Sequence, residues 1–324
     1  MAFGNRASSS GWMESSQAAS MIASWVSTAY ALAHCAAHSE NSRARTYFIR
    51  YHSIPRRDGL TRAIITVVHW RTIALAGLTV LLVLGLACRS QRDSPLASAI
   101  PPDAALVGSL DPPALRRSPA YRELPPAVLA LLDSYPSASR LALAWSPNTV
   151  LTLAEGAFEQ PPPGAVLAGP RLAISGSEGA VGAAAARFRA HAKAASPILD
   201  YAARWFPDAA AWIVARGNIV LPVSGNAANL NRLLRDLDYA GIGLHLNEPA
   251  RLNLHATGAT AEAARRFEES LRAFLSLVAM GEARHPGTAS LLESARIERS
   301  GREVRLVLTA PADRIVGLLT AIAR

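Results

Sequence analysis

Between positions 72 and 87 the chain carries no charged residue, and Leu, Val, Ile and Ala dominate. The wider stretch 67–88, VVHWRTIALAGLTVLLVLGLAC, divides a polar, arginine-bearing leader from a long segment able to fold. No amphipathic period breaks the run, so it does not read as a helix of a soluble core. A run of this kind is a short membrane span, which wants roughly 20 residues, or the apolar part of a signal peptide, which wants about 7–15. Both readings put residues 67–88 in a membrane and the segment after them outside the cytoplasm. A signal peptide belongs at an N-terminus, yet 66 residues precede this one. A start near Val67 or Val68 would give a short leader with one positive charge, Arg71, so residues 1–66 are expected to be a mis-assigned start or a disordered leader. If the leader is retained, Arg43, Arg45, Arg50, Arg56, Arg57 and Arg62 favour keeping it in the cytoplasm.

The run ends Leu84-Gly85-Leu86-Ala87-Cys88. Small residues before a single Cys resemble the lipobox of bacterial lipoproteins. That resemblance implies lipidation of Cys88, which would become the first residue of the mature chain. Gly85 stands where that family prefers Leu. An uncleaved single-pass anchor and a conventionally cleaved signal remain the alternatives.

The net charge of +9 invites a nucleic-acid reading, and its distribution argues against one. Residues 1–66 hold seven Arg against three acids, and residues 67–92 add Arg71, Arg89 and Arg92. Residues 93–324 hold 23 Lys plus Arg against 21 Asp plus Glu. A nucleic-acid binder concentrates basic charge on its folded domain, so no nucleic-acid partner is expected. The two cysteines, Cys35 and Cys88, both precede the folding segment. That segment therefore has no disulfide framework, thiolate zinc site or thiol nucleophile.

Residues 89–99 read as a tether carrying Pro95. The folding segment then opens with Pro102-Asp103-Ala104-Ala105 before a strand at 106–110. Asp111 followed by Pro112 and Pro113 marks a helix start, with Asp as cap. A helix at 126–133 follows, then strands 140–145 and 149–154 about the turn Ser146-Pro147-Asn148. A stiff loop at 160–164, a strand at 171–174 and an Ala-rich helix at 178–195 close this part. At Phe206 the chain begins again: Pro207-Asp208-Ala209-Ala210 repeats the earlier motif before another strand. Asn226 caps a helix through 236, and strands 241–246 and 252–257 follow. A long helix spans 261–279, then a hairpin at 295–309 turning at Ser300-Gly301, and a last helix at 312–323. Arg171-Leu172-Ala173-Ile174, Arg251-Leu252-Asn253-Leu254 and Arg305-Leu306-Val307-Leu308 echo one another before helices. So do Ala185-Ala186-Arg187-Phe188 and Ala263-Ala264-Arg265-Arg266-Phe267. The expectation is an α+β fold: antiparallel sheets with helices packed on one face. Two duplicated β-α-β-β units make it up, at 100–205 and 206–324, the second carrying a C-terminal hairpin and helix.

Chemistry is sparse. With Ile242, Leu244, Leu246, Leu252 and Leu254 on one face, the expected register opposes His245 to Asn253. It makes His255 the diagonal neighbour, at roughly 7–8 Å between Cα atoms. Two imidazoles there could share a metal, but no third ligand stands at a supporting spacing, and solvent-facing strand residues explain the pair. Asn226, Asn229 and Asn231 at a helix start suit a polar ligand such as a glycan; capping by Asn226 and solvation of Asn229 and Asn231 explain them better. Gly176 to Gly182 follows a strand and opens a helix, but its spacing is GxxGxxG, and Glu178 would repel a phosphate. Ser177 as a helix cap accounts for the same residues. GxSxG is absent, no catalytic residue stands out, and nothing calls for a cofactor or a metal.

The folding segment resembles exported lipoproteins of unknown function from GC-rich bacteria. The likeness rests on Pro102-Asp103-Ala104, on Asp111 with Leu115-Arg116-Arg117-Ser118-Pro119-Ala120-Tyr121-Arg122, and on Trp212 through Asn231 with Leu233-Leu234-Arg235. It implies an envelope location and transfers no catalytic residue. The reading is a cell-envelope lipoprotein anchored through residues 67–88 and lipidated at Cys88. It binds or scaffolds an envelope protein or polymer, and His245, His255, Asn226, Asn229 and Asn231 are its candidate ligand residues. An envelope hydrolase and a single-pass inner-membrane protein that binds a partner are the alternatives.

Overall fold

All five residues of β1 (Leu106–Leu110) are buried, because this strand lies at the middle of a sheet covered on both faces. Outward on one side run β2 (Ala138–Ser146), β3 (Thr149–Gly156), β5 (Leu172–Gly176) and the edge strand β4 (Ala165–Gly169). On the other side run β6 (Ala211–Arg216), β7 (Leu237–His245), β8 (Ala250–Gly258), β10 (Glu303–Ala310) and the edge strand β9 (Arg296–Ser300). Every neighbouring pair is antiparallel, giving one ten-stranded sheet in an α+β fold. The computed structural model describes residues 95–147, 149–192, 196–219, 234–281, 291 and 294–322. All of them lie in one compact unit.

The two halves of the sheet share one internal order. From the central β1–β6 pair the sequence of strands is β2, β3, β5, β4 one way and β7, β8, β10, β9 the other. Leu106 pairs with Ala215, Gly108 with Ile213, and Leu110 with Ala211. The centre of that ladder joins positions 108 and 213, separated as are the two Pro-Asp-Ala-Ala motifs at 102 and 207. The hairpin expected as a C-terminal extension is thus the positional counterpart of β4–β5. The helices do not follow the echo in their sequences. α4 (Glu178–Arg189) and α6 (Ala261–Gly281), which share the Ala-Ala-Arg motif, leave different strands and pack on opposite faces.

Helices cover both faces, and this corrects the expectation of one. On the first face Leu106, Leu110, Leu141, Ile242, Leu252 and Leu306 meet α2 (Pro112–Arg117), α3 (Pro126–Ser134), α6 and α7 (Ala312–Ile322). On the second, Val107, Ala142, Ala144, Leu151, Leu153 and Val214 meet α1 (Pro95–Ala99), α4 and α5 (Pro197–Trp205). Small residues such as Ala142 and Ala144 look solvent-facing in a sequence; here they let a helix approach closely. Among the described residues no helix is long and apolar enough to cross a membrane.

Local chemistry sets the helix ends. Asp111 Oδ1 accepts from the Ala114 N–H at 2.8 Å, the cap its sequence foretold. Arg116 donates to the carbonyls of Leu132, Tyr135 and Pro136, satisfying the free end of α3. Ser177 occupies the cap of α4 but makes no side-chain cap bond.

Phe206, fully buried, ends α5 and lies flat on β7. A Cβ at Gly241 or Gly243 would stand 2.6 or 2.5 Å from its ring, so both glycines are required for the contact. Gly243→Ala is expected to destabilise the fold by about 1–3 kcal/mol through overpacking. A denaturant melt of the two proteins measures this, and an unchanged midpoint would refute the contact.

Candidate functional site

β7 and β8 pair His245 with Arg251, Gly243 with Asn253 and Gly241 with His255. This differs from the expected register by two residues along one strand. The two imidazoles share a face but stand four residues apart on the ladder, about 14 Å at the usual rise and strand spacing. They do not share a ligand. Among the described residues no group of three or more His, Cys, Asp or Glu is placed to hold a metal.

Neither imidazole faces solvent, which is the second correction. His255 is 2% exposed, His245 7% and Asn253 8%. The cover is α5. Trp205 stacks on the His255 ring with centroids 3.4 Å apart and planes 16° from parallel. The Tyr201 hydroxyl sits 2.5 Å from His255 Nδ1 and 3.2 Å from the His255 carbonyl. Tyr201 also stacks on Tyr239, and the Arg204 guanidinium lies 4.8 Å above the Trp205 ring. The carbonyl can only accept, so both contacts are met when the Tyr201 O–H donates to it and the His255 Nδ1–H donates to the Tyr201 oxygen, which leaves Nε2 without a proton.

Burial pushes the His255 pKa down to about 3, assisted by the nearby Arg204 and Arg305 charges. His245 is lowered too, by burial and then by Arg251. Burial raises the Tyr201 hydroxyl well above its usual range. All three groups are therefore neutral at physiological pH. His255 and Tyr201 lie far from the pKa near the working pH that a general acid or base wants.

Three buried side-chain atoms in this stripe have no hydrogen-bond partner: His245 Nε2, Asn253 Oδ1 and His255 Nε2. Arg251 and Arg305 stand exposed on the same face, and neither forms an ion pair among the described residues. The sequence reading named His245 and His255 but missed Tyr201, Trp205, Arg251 and Arg305. The only signal was Arg251-Leu252-Asn253-Leu254-His255, an alternation placing three polar residues on one face. Asn226, Asn229, Asn231 and Cys88 lie outside the described residues.

The opposite face holds a small cleft over β1, about 20 Å³ in volume. Leu106, Gly108, Leu110, Leu131, Leu141, Leu143 and Ile213 line it, with Ser109 and Trp212 of the strands beneath. Gly108 lacks the side chain that Leu106 and Leu110 place on this face, which helps leave the space open. No ionisable residue is among these lining residues.

The low His255 pKa carries a stability consequence. Between about 3 and 6.5 the unfolded chain binds a proton that the folded chain does not. Stability is thus fully present above 6.5 and falls as pH drops through this window, by at most about 1.4 kcal/mol per pH unit for one group. His255→Gln is expected to flatten that slope, with His245 retaining part of it. Melting temperatures from pH 7.5 to 4 check this; parallel profiles would contradict it.

No protein-family model and no curated protein matches the sequence. Two solved crystal forms of TP0453 are similar to the chain. Form I has a TM-score of 0.38 at 10% identity, covering 71% of this chain and 98% of that one. Form III has a TM-score of 0.37 at 9% identity, covering 70% and 98%. Likeness at this level transfers no residue role.

Proposed function

We propose that this chain is a membrane-tethered module of the bacterial cell envelope that binds a partner and catalyses no reaction. Residues 67–88 are its anchor, Cys88 is its lipidated residue, and the sheet faces away from the cytoplasm. The observation that carries the binding reading is the quarter of the second sheet face formed by β8, β10 and β9. Beyond the reach of α5 no described helix lies over it. Arg251, Arg305, Arg296, Glu298 and Ser300 are exposed there, with Val307 and Thr309 half-buried between them. A large antiparallel sheet left uncovered on part of one face offers a surface for an envelope protein or polymer. The central cleft supports the same reading, since an apolar lining without an ionisable group offers no acid–base pair.

The reading includes duplication of a β-α-β-β unit. Its support is the shared strand order of the two halves and a central ladder whose offset matches the repeated Pro-Asp-Ala-Ala motif.

A photo-crosslinking residue at Val307, in the middle of the open quarter, is expected to capture an envelope component in intact cells. The same residue at Glu269, on the exposed side of α6, is expected to capture none. Capture from 269 alone, or from neither position, would count against the open quarter. Globomycin is expected to shift the mobility of the wild-type chain and not that of Cys88→Ala; an unshifted wild type would remove the lipidated anchor.

A further inference from the structure

α5 covers His255 in a way that suits only the uncharged ring. The Tyr201 oxygen accepts the Nδ1–H, and the Tyr201 O–H is spent on the His255 carbonyl. The Trp205 indole lies over the imidazole with centroids 3.4 Å apart, and His255 is 2% exposed. Within that enclosure Nε2 has no hydrogen-bond partner. A second proton on the ring would make a buried N–H without an acceptor, bearing a charge cut off from water.

The groups around the ring do not offset that charge. From α5 come Tyr201, whose oxygen is already used, Arg204, and the exposed Asp200 one turn before it. From β10 come Arg305, directly across from His255, and Glu303, which Arg204 holds at 3.5 Å. From β7 come Tyr239, stacked on Tyr201, and, four residues along the ladder, His245 with Asp208 near it. Arg251 precedes His255 by four residues on β8. The charges that act on the ring are those of Arg204 and Arg305, and both are positive. An indole face attracts a cation, but this one already carries the Arg204 guanidinium 4.8 Å from its centre.

The cover can yield at one residue. Ile198, Ala202 and Phe206, all fully buried, hold α5 in the second core. Trp205 is the last residue of that helix and only half-buried, so its indole can turn aside while the helix stays docked.

We propose that Trp205 and His255 form an acid-operated latch: protonation of Nε2 displaces the indole and adds the His255 ring to the open quarter of the sheet. Deprotonation closes it again. The latch goes beyond the binding role and holds whatever the open quarter takes. Its direction follows from linkage. Covered, the ring titrates at about 3; uncovered, it returns toward 6.5. The open form therefore binds the proton first, and its share grows by up to about tenfold per pH unit as pH falls between those limits.

Fluorine NMR on the full chain in detergent, labelled with 5-fluorotryptophan, tests this. Trp205 is assigned by its loss in Trp205→Phe, and the buried Trp145 and Trp212 report on the core. From pH 7.5 to 4 the Trp205 signal is expected to move toward that of a solvent-exposed indole while Trp145 and Trp212 keep theirs. In His255→Gln the Trp205 signal is expected to stay where it is. The His255 ring in Trp205→Ala is expected to titrate at least about one unit higher than in wild type, because its cover is gone. A melting curve at pH 7.5 verifies that each variant folds. A Trp205 signal that holds down to pH 4, that moves only together with Trp145 and Trp212, or that moves alike in His255→Gln overturns the latch. So does an unchanged His255 titration in Trp205→Ala. Should His255→Gln not fold, the wild-type signals and Trp205→Ala decide the matter.

Discussion

The antiparallel pairing of β1 with β6 is the constraint on which the rest of the molecule depends. It joins the two halves of the chain into one sheet, so each half offers the other an inner edge that would otherwise lie open. Because both central strands are covered on both faces, the apolar residues must alternate sides, and two separate cores form. The shared strand order on either side follows from that centre outward. Gly108, at the midpoint of the ladder, leaves the apolar cleft where a larger side chain would have filled the core.

The two halves differ in what covers them. On the second face the first half is roofed by α1 and α4 and, among the described helices, the second half only by the short α5. That helix is held by Phe206 lying on two glycines and by Tyr201 and Trp205 closing on His255. Its grip stops at β8. Beyond it the sheet is polar and open, and the charges there are arranged unlike those on the helical side. The pairs along α6 are exposed and screened by solvent, and serve to neutralise the surface more than to stabilise it. On the uncovered strands Arg251 and Arg305 form no ion pair among the described residues.

The histidine pair shows where sequence reasoning reached its limit. The pattern Ile242, Leu244, Leu252, Leu254 placed His245 and His255 on one face correctly. A shift of the ladder by two residues leaves that pattern unchanged, since side chains alternate with a period of two. Which of the allowed registers forms is decided by the turn and by pairing elsewhere. The burial of both rings was equally out of view, because α5 comes from 40 or more residues earlier in the chain.

Sequence alone determined the α+β class, most strand positions, the Asp111 cap and the repeated motif before each central strand. These are local: they follow from alternation, capping chemistry and turn residues read over a few positions. Only the tertiary structure decided that ten strands form one sheet, that helices lie on both faces, and that the hairpin of β9 and β10 mirrors that of β4 and β5. It alone gathered Tyr201, Trp205, Arg251, Asn253, His255 and Arg305. Those residues come from three elements distant along the chain, and no periodicity within any one of them encodes which face of another it will meet.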